Sequence, residues 1–279
     1  MLFKRSFLLL LALAAFAPAL RAQHVAASLV ATEASVQPGR PVTVALRLAH
    51  EEHWHTYWVN AGTGYPTSLT WQLPPGWTAG EIQWPSPRPI RDNKGNITGN
   101  GYEGITYLPV TLTPPADLKP GDSITFSATA DWLMCADVCI PGDARVSLTL
   151  PVKAEPPAPA SGNGAEAAGS LRSLPRDVPG WDIGATRSGS TVTLTLKPGA
   201  DAPVKDPATL WFFASDALIQ YELPQTVRKG AAGELMIDLA VSESADQTIG
   251  RLTGVLTTSG SWLSDAALPG LRIDVPIIA

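Results

Sequence analysis

Cysteine is scarce in this chain, with two residues in 279, and histidine has only four. The histidines, His24, His50, His53 and His55, crowd into the first fifth of the sequence. With no serine in a nucleophile elbow, they identify no hydrolase triad. Basic clusters are missing too. The formal net charge is −5, and without a clustered basic face the chain does not read as a nucleic-acid binder. Gly62-Thr63-Gly64 has neither a P-loop lysine nor a dinucleotide fingerprint, so it reads as a turn. Beyond the first 22 residues no apolar run reaches the roughly 20 residues needed to cross a bilayer. No long amphipathic helix is evident either.

What is present begins with an export signal. Met1 to Ala22 carries Lys4 and Arg5, an apolar stretch from Phe7 to Phe16, then Pro18 and small residues ending at Ala22. That is the tripartite layout of a secretory signal peptide over residues 1–22. Leu20 stands where a small residue is preferred, so the cut could shift by a few residues. Cleavage would leave an exported protein that spans no membrane. No cysteine lies at the candidate cut, so a lipid anchor there is not indicated.

Hydrophobic residues are 45% of the chain and charged residues 16%, with 26 prolines and 24 glycines breaking up short Val, Thr, Leu and Ile runs. Such a balance fits an all-β protein with many turns and argues against general disorder. Period-two alternation in Val42–Leu48, Ser68–Trp71, Ile105–Leu108, Ile124–Ala128 and Arg145–Leu150 predicts strands with one buried face. Thr191–Leu196, Thr209–Phe213, Leu235–Leu239, Leu252–Leu256 and Leu271–Val275 repeat the pattern. Between the two sets, residues 153–170 are mostly Pro, Ala, Gly and Ser, the composition of a flexible tether. The expected organisation is two immunoglobulin-like β-sandwiches, residues 23–152 and 171–279, joined by a flexible Pro/Ala/Gly linker. The second contains no cysteine and no histidine, which leaves it scaffolding or partner docking.

The cysteines stand in Trp132-Leu133-Met134-Cys135-Ala136-Asp137-Val138-Cys139-Ile140-Pro141. A bond between them closes so short a loop that chain entropy gives about 2 kcal/mol, against roughly 4.7 for a hundred-residue loop. A domain of this size can bury enough apolar surface without that staple, so the pair is better explained as a bond that opens and closes. Other readings stay open. The bond could permanently pin a hairpin, or Cys135, Cys139, Met134, His53 and His55 could form a soft set for Cu(I). Two strands joined by a three-residue connection would bring the sulfurs face to face. Asp131, Asp137 and Asp143 are close in sequence, and carboxylates near a thiol disfavour its thiolate. The dithiol would then react slowly until a partner docks. The aromatic stretch His53–Trp58 reads as a half-buried strand with large side chains on both faces, or as part of a partner-binding face beside the cysteines.

Tyr57-Trp58-Val59-Asn60-Ala61-Gly62, Pro66-Thr67, Leu73-Pro74-Pro75-Gly76, Gly80–Pro85, Gly101-Tyr102-Glu103-Gly104, Leu108-Pro109-Val110 and Cys135–Pro141 together resemble the exported N-terminal domain of DsbD-type thiol:disulfide interchange proteins, in particular its copper-sensitivity-suppressor branch. The resemblance implies an immunoglobulin-like domain whose Cys135/Cys139 pair is catalytic and relays reducing equivalents to or from thioredoxin-like periplasmic proteins. Cys139 resembles the cysteine that forms the mixed disulfide, and Cys135 the one that resolves it. It also implies a cap loop over the disulfide at about Asp92 to Gly104, with Ile97 or Tyr102 in the place of the usual aromatic cap. Full-size members continue into membrane helices and a thioredoxin-like domain, so either a separate membrane protein supplies the electrons or the chain is a lone adaptor. No cofactor and no resident metal are assigned. A copper-binding or copper-tolerance protein, or an interaction module with a static disulfide, is the alternative.

Overall fold

The structure, a computed structural model, describes residues 24–265 and 267–279. The expected signal peptide lies outside the described residues. The first half of the chain supplies strands β1 (Val25–Ala31), β2 (Val42–His50), β3 (His55–Tyr57), β4 (Ser68–Gln72), β5 (Thr78–Ala79), β6 (Arg88–Arg91), β7 (Ile97–Glu103), β8 (Ile105–Thr113), β9 (Ser123–Cys135) and β10 (Cys139–Pro151). They form two sheets, one ordered β1-β2-β8-β5 and one ordered β10-β9-β3-β7-β6 with β4 also on β9. Alternation explains the layering. On β9, Phe126, Ala128, Ala130, Trp132 and Met134 are buried in a core shared with Val44, Leu46 and Leu48 of β2 and Leu108 and Val110 of β8. The strands read from the sequence all fall inside these elements, because each has one face in that core.

After β10 comes one short helix, α1 (Asn163–Leu171). The second half then supplies β11 (Trp181–Ser188), β12 (Thr191–Pro198), β13 (Leu210–Ala214), β14 (Thr226–Lys229), β15 (Leu235–Ala240), β16 (Arg251–Thr258) and β17 (Gly270–Ile278), in the order β13-β16-β17-β11-β12-β15-β14. Strand β17 joins two faces: it is antiparallel to β16 along most of its length and parallel to β11 at Ile277 and Ile278. Its core is a second cluster that includes Leu194, Phe212, Ile237, Leu256 and Trp262. The architecture is all-β sandwiches.

The Pro/Ala/Gly stretch read as a flexible tether is laid against the first sandwich. The Ala34 and Ala160 amides donate to Ala158 and Thr32 carbonyls, at 2.9 and 3.1 Å. Tyr107 donates to Glu166 at 2.7 Å, and Ala167 is buried against Ala45 and Tyr107. Small residues permit this close approach: a side chain on Gly164 would collide with Ala160 and the Ala31 carbonyl. The two units also meet directly, for Phe213 and Val255 of the second belong to the first core.

Candidate functional site

The disulfide sits at the end of the longest hairpin and outside its core. Cys139 is registered opposite Cys135, with α-carbons 4.1 Å apart and a bond between the sulfurs. The connecting residues close through the Ala136 amide and the Val138 carbonyl at 3.1 Å. Met134 and Trp132 point into the core, so Leu133 and Cys135 must occupy the opposite face. On β3, His55 is registered opposite Cys135, which puts Tyr57 on that outer face too.

The two sulfurs have unequal access. Cys135 is 2% exposed and clusters with Tyr57, Ala61 and Leu133. Cys139 is exposed, beside Val138 at 60%. Strands β3 and β4 both pair antiparallel with β9, and residues 58–67 loop out between them. This loop covers the buried sulfur's neighbours. Gly64, at φ +86°, lies against Leu133 and the Tyr57 ring, where a β-carbon would come within 2.8 Å of Leu133 and 3.0 Å of Tyr57. Tyr65 donates its hydroxyl to the Trp132 carbonyl at 3.4 Å. From β7, Gly99 leaves space for the same ring, since a β-carbon there would stand 2.8 Å from it.

Two buried polar side chains face the pair. The Tyr57 hydroxyl lies 3.9 Å from Cys139 Sγ and 3.3 Å from His55 Nε2. Burial first, and nearby His50 second, push the His55 imidazole down to about 4, so it is neutral at neutral pH. Burial first, and Tyr221 of the second unit second, raise the Tyr57 phenol. On the other side, Asn93 donates to Asp137 at 3.4 Å, from a turn in which Asp92 accepts bonds from the Lys94 and Asn96 amides.

The sequence-derived sets are only partly brought together. Asp137 lies between the cysteines, whereas Asp131 and Asp143 oppose each other further along the hairpin. The soft-ligand set is divided: Met134 is in the core, His53 is on the surface at φ +70°, and only His55 is next to Cys135. Tyr102 is not available as a cap. It pairs opposite Thr56, is buried in the first core, and donates to the Pro85 carbonyl at 2.8 Å. Ile97 begins β7, next to the Asp92 turn. The outward tyrosine, Tyr57, belongs to the aromatic stretch read as a half-buried strand or as part of a face beside the cysteines. Asn60 belongs to the Tyr57–Gly62 motif, which gave no sign of its contact with the second unit, and Tyr221 carried no signal.

Among known families, the N-terminal domain of the thiol:disulfide interchange protein DsbD matches residues 23–151. The N-terminal periplasmic domain of ScsB from Proteus mirabilis has the same fold, with a TM-score of 0.59 at 18% identity over 90% of this chain and 92% of that one. The periplasmic chaperones SfaE and YadV align at TM-scores of 0.21 and 0.22, with 9% and 10% identity; the alignments cover 90% and 88% of this chain and 98% and 99% of theirs. No curated protein matches the chain. Among the described residues, no helix is long and apolar enough to cross a membrane. With its immunoglobulin-like strands and its disulfide-bonded cysteine pair, the segment 23–151 is an N-terminal domain of the DsbD type.

Proposed function

We propose that this protein is an exported, periplasmic thiol–disulfide exchange module that relays reducing equivalents through Cys135 and Cys139 to or from thioredoxin-like partners. Residues 23–152 form its redox domain and residues 171–279 a second domain. One observation carries the reading: the disulfide lies outside both cores with one sulfur exposed and the other covered. A bond that braced the fold would gain from enclosing a long loop, and this one encloses three residues. Asymmetric access is what an exchange reaction needs, because attack must reach one sulfur while the other leaves.

In the reducing direction, a thiolate of a partner dithiol attacks Cys139 Sγ. The Cys135–Cys139 bond breaks, and Cys135 departs with the electron pair and takes a proton from solvent. The partner's second thiolate then attacks its own sulfur in the mixed disulfide. Cys139 is released and protonated, and the partner is left oxidised by two electrons. Donation runs the same steps backwards. The Tyr57 hydroxyl, held beside Cys139, is placed to donate a hydrogen bond to the released thiolate.

The test is trapping. With Cys135→Ser, a thioredoxin-like partner is expected to accumulate as a mixed disulfide through Cys139, and the wild-type pair to titrate in the range of exchange proteins. A reduction potential below about −300 mV, where structural disulfides resist the thiol pool, together with no trapped complex, would establish a static bond.

A further inference from the structure

The second unit reaches the redox site through the loop that covers Cys135. Asn60 donates from Nδ2 to two carbonyls of that unit, Ala214 at 2.9 Å and Asp216 at 2.6 Å. Thr63 and Tyr221 share a hydroxyl–hydroxyl hydrogen bond of 2.7 Å. Between them Gly62, at φ +72°, lies under the Tyr221 ring, where a β-carbon would meet ring atoms at 2.8 Å. Three successive parts of one turn are therefore fastened to a different core.

That attachment is firm on its far side. Tyr221 follows Leu218 and Ile219, both buried in the second core. The Gln220 amide donates to the Ala240 carbonyl at 2.9 Å, and the Ser242 amide to the Leu218 carbonyl at 2.8 Å. Asp216 accepts the Leu218 amide at 2.9 Å. On the near side, Ala61 and Gly64 pack on Tyr57 and Leu133, the residues that cluster with Cys135. The loop is thus fixed at both faces. An exposed loop of small residues held only by its own ends would open readily.

We propose that the second unit is a clamp on residues 58–67 that keeps Cys135 covered, so that an incoming thiolate or electrophile reaches Cys139 alone, with Asn60 and Tyr221 as positioning residues. The clamp rests on the exchange reading above for its purpose, though not for its geometry. It gives the cysteine-free unit a function: setting which sulfur is attacked. With the cover loosened, attack at Cys135 would leave the partner bonded to the inner sulfur, where a docked partner has least room.

Competitive alkylation of the reduced full-length protein with iodoacetamide, read by peptide mass spectrometry across a pH series, tests this. Plateau rates at high pH report access, and the midpoints report thiol pKa. The wild type is expected to favour Cys139 by about tenfold or more, since exchange and labelling follow access as well as thiolate fraction. Asn60→Ala and Tyr221→Ala should raise the plateau rate of Cys135 severalfold and leave that of Cys139 unchanged. Tyr221→Phe, which loses only the Thr63 bond, keeps the ring on Gly62 and should fall between, so a folded variant is available if the alanine forms fail. An unchanged ratio in folded variants whose 58–67 amides exchange hydrogen faster would overturn the clamp, and so would equal labelling in the wild type. Selective labelling without any mixed disulfide to a thioredoxin-like dithiol would instead sink the relay and leave the clamp standing.

Discussion

The two β-units are built alike and equipped differently. Every cysteine and histidine of the chain lies in the first, and there the longest hairpin projects a disulfide from the outer face of a sheet. The second has Trp262 fully buried in its own core, donating to the Leu256 carbonyl at 3.0 Å. Its surface carries ordinary ion pairs such as Arg228–Asp238 and Arg251–Asp274. A sandwich core stabilises the fold from within, so its outer sheet face is available for chemistry. On the proposed reading only one unit uses that freedom, and the other contributes through the loop it holds.

The largest effect that would sharpen this contrast is chemical. Cys139→Ser is expected to abolish exchange with any dithiol partner while the fold survives, because the bond lies outside the core. Thermal melting and partner turnover measured together check this; a collapse of the fold would erase the distinction between site and scaffold. Next comes the second core. Trp262→Ala removes a fully buried side chain that also packs edge-on against Trp181 at 5.6 Å, a truncation that costs about 3–5 kcal/mol. Because Phe213 and Val255 are buried in the first core, a single joint transition is expected in urea. Two separate transitions would make the units independent.

Between pH 6.5 and 4, acid should act chiefly on the first unit, which holds every histidine. Burial holds the His55 imidazole down to about 4 in the folded protein, below the ordinary 6.5, so between those pH values the unfolded chain binds more protons. The His55 contribution to stability therefore falls as pH drops from 6.5 to 4 and levels off below. After discounting for solvent screening the penalty is about 1–3 kcal/mol, with His50, also lowered by burial, adding in the same direction. Denaturant midpoints at pH 7 and pH 4.5 measure it, and His55→Gln should flatten the profile. An unchanged slope would mean that the imidazole meets water.

How much of this could be read from residues alone follows the same division. Alternation revealed β2, β4, β8, β9 and β10, and in the second unit β12, β13 and β15 to β17, since period two survives wherever one face is buried. The cysteine hairpin was legible from spacing. The loop between β3 and β4 was not, because Gly62-Thr63-Gly64 shows a turn without showing what it turns over. The resemblance offered Ile97 or Tyr102 in place of a cap residue, yet the register of Tyr102 opposite Thr56 turns it inward. The 153–170 stretch read as a tether because small residues have little to bury, whereas their smallness lets them lie close to Thr32 and Ala31. Asn60 and Tyr221 act across 154 or more residues of sequence, a distance no local pattern reaches.

The smallest effect tests the join between the units most directly. Thr63→Ala deletes one exposed hydroxyl bond to Tyr221, which contributes about 1 kcal/mol or less because water replaces it on either side. Global stability should hardly move. The amides of residues 61–65 should nevertheless exchange faster with solvent than those of β9, because local opening costs less than unfolding and the lost bond bears only on the opening. If exchange accelerates equally in β9, the loop and hairpin open together and the second unit supports the whole sheet edge. If it accelerates in the loop alone, the cover over Cys135 is a separate moving part, held from across the interface by a tyrosine in a unit with no sulfur of its own reacting.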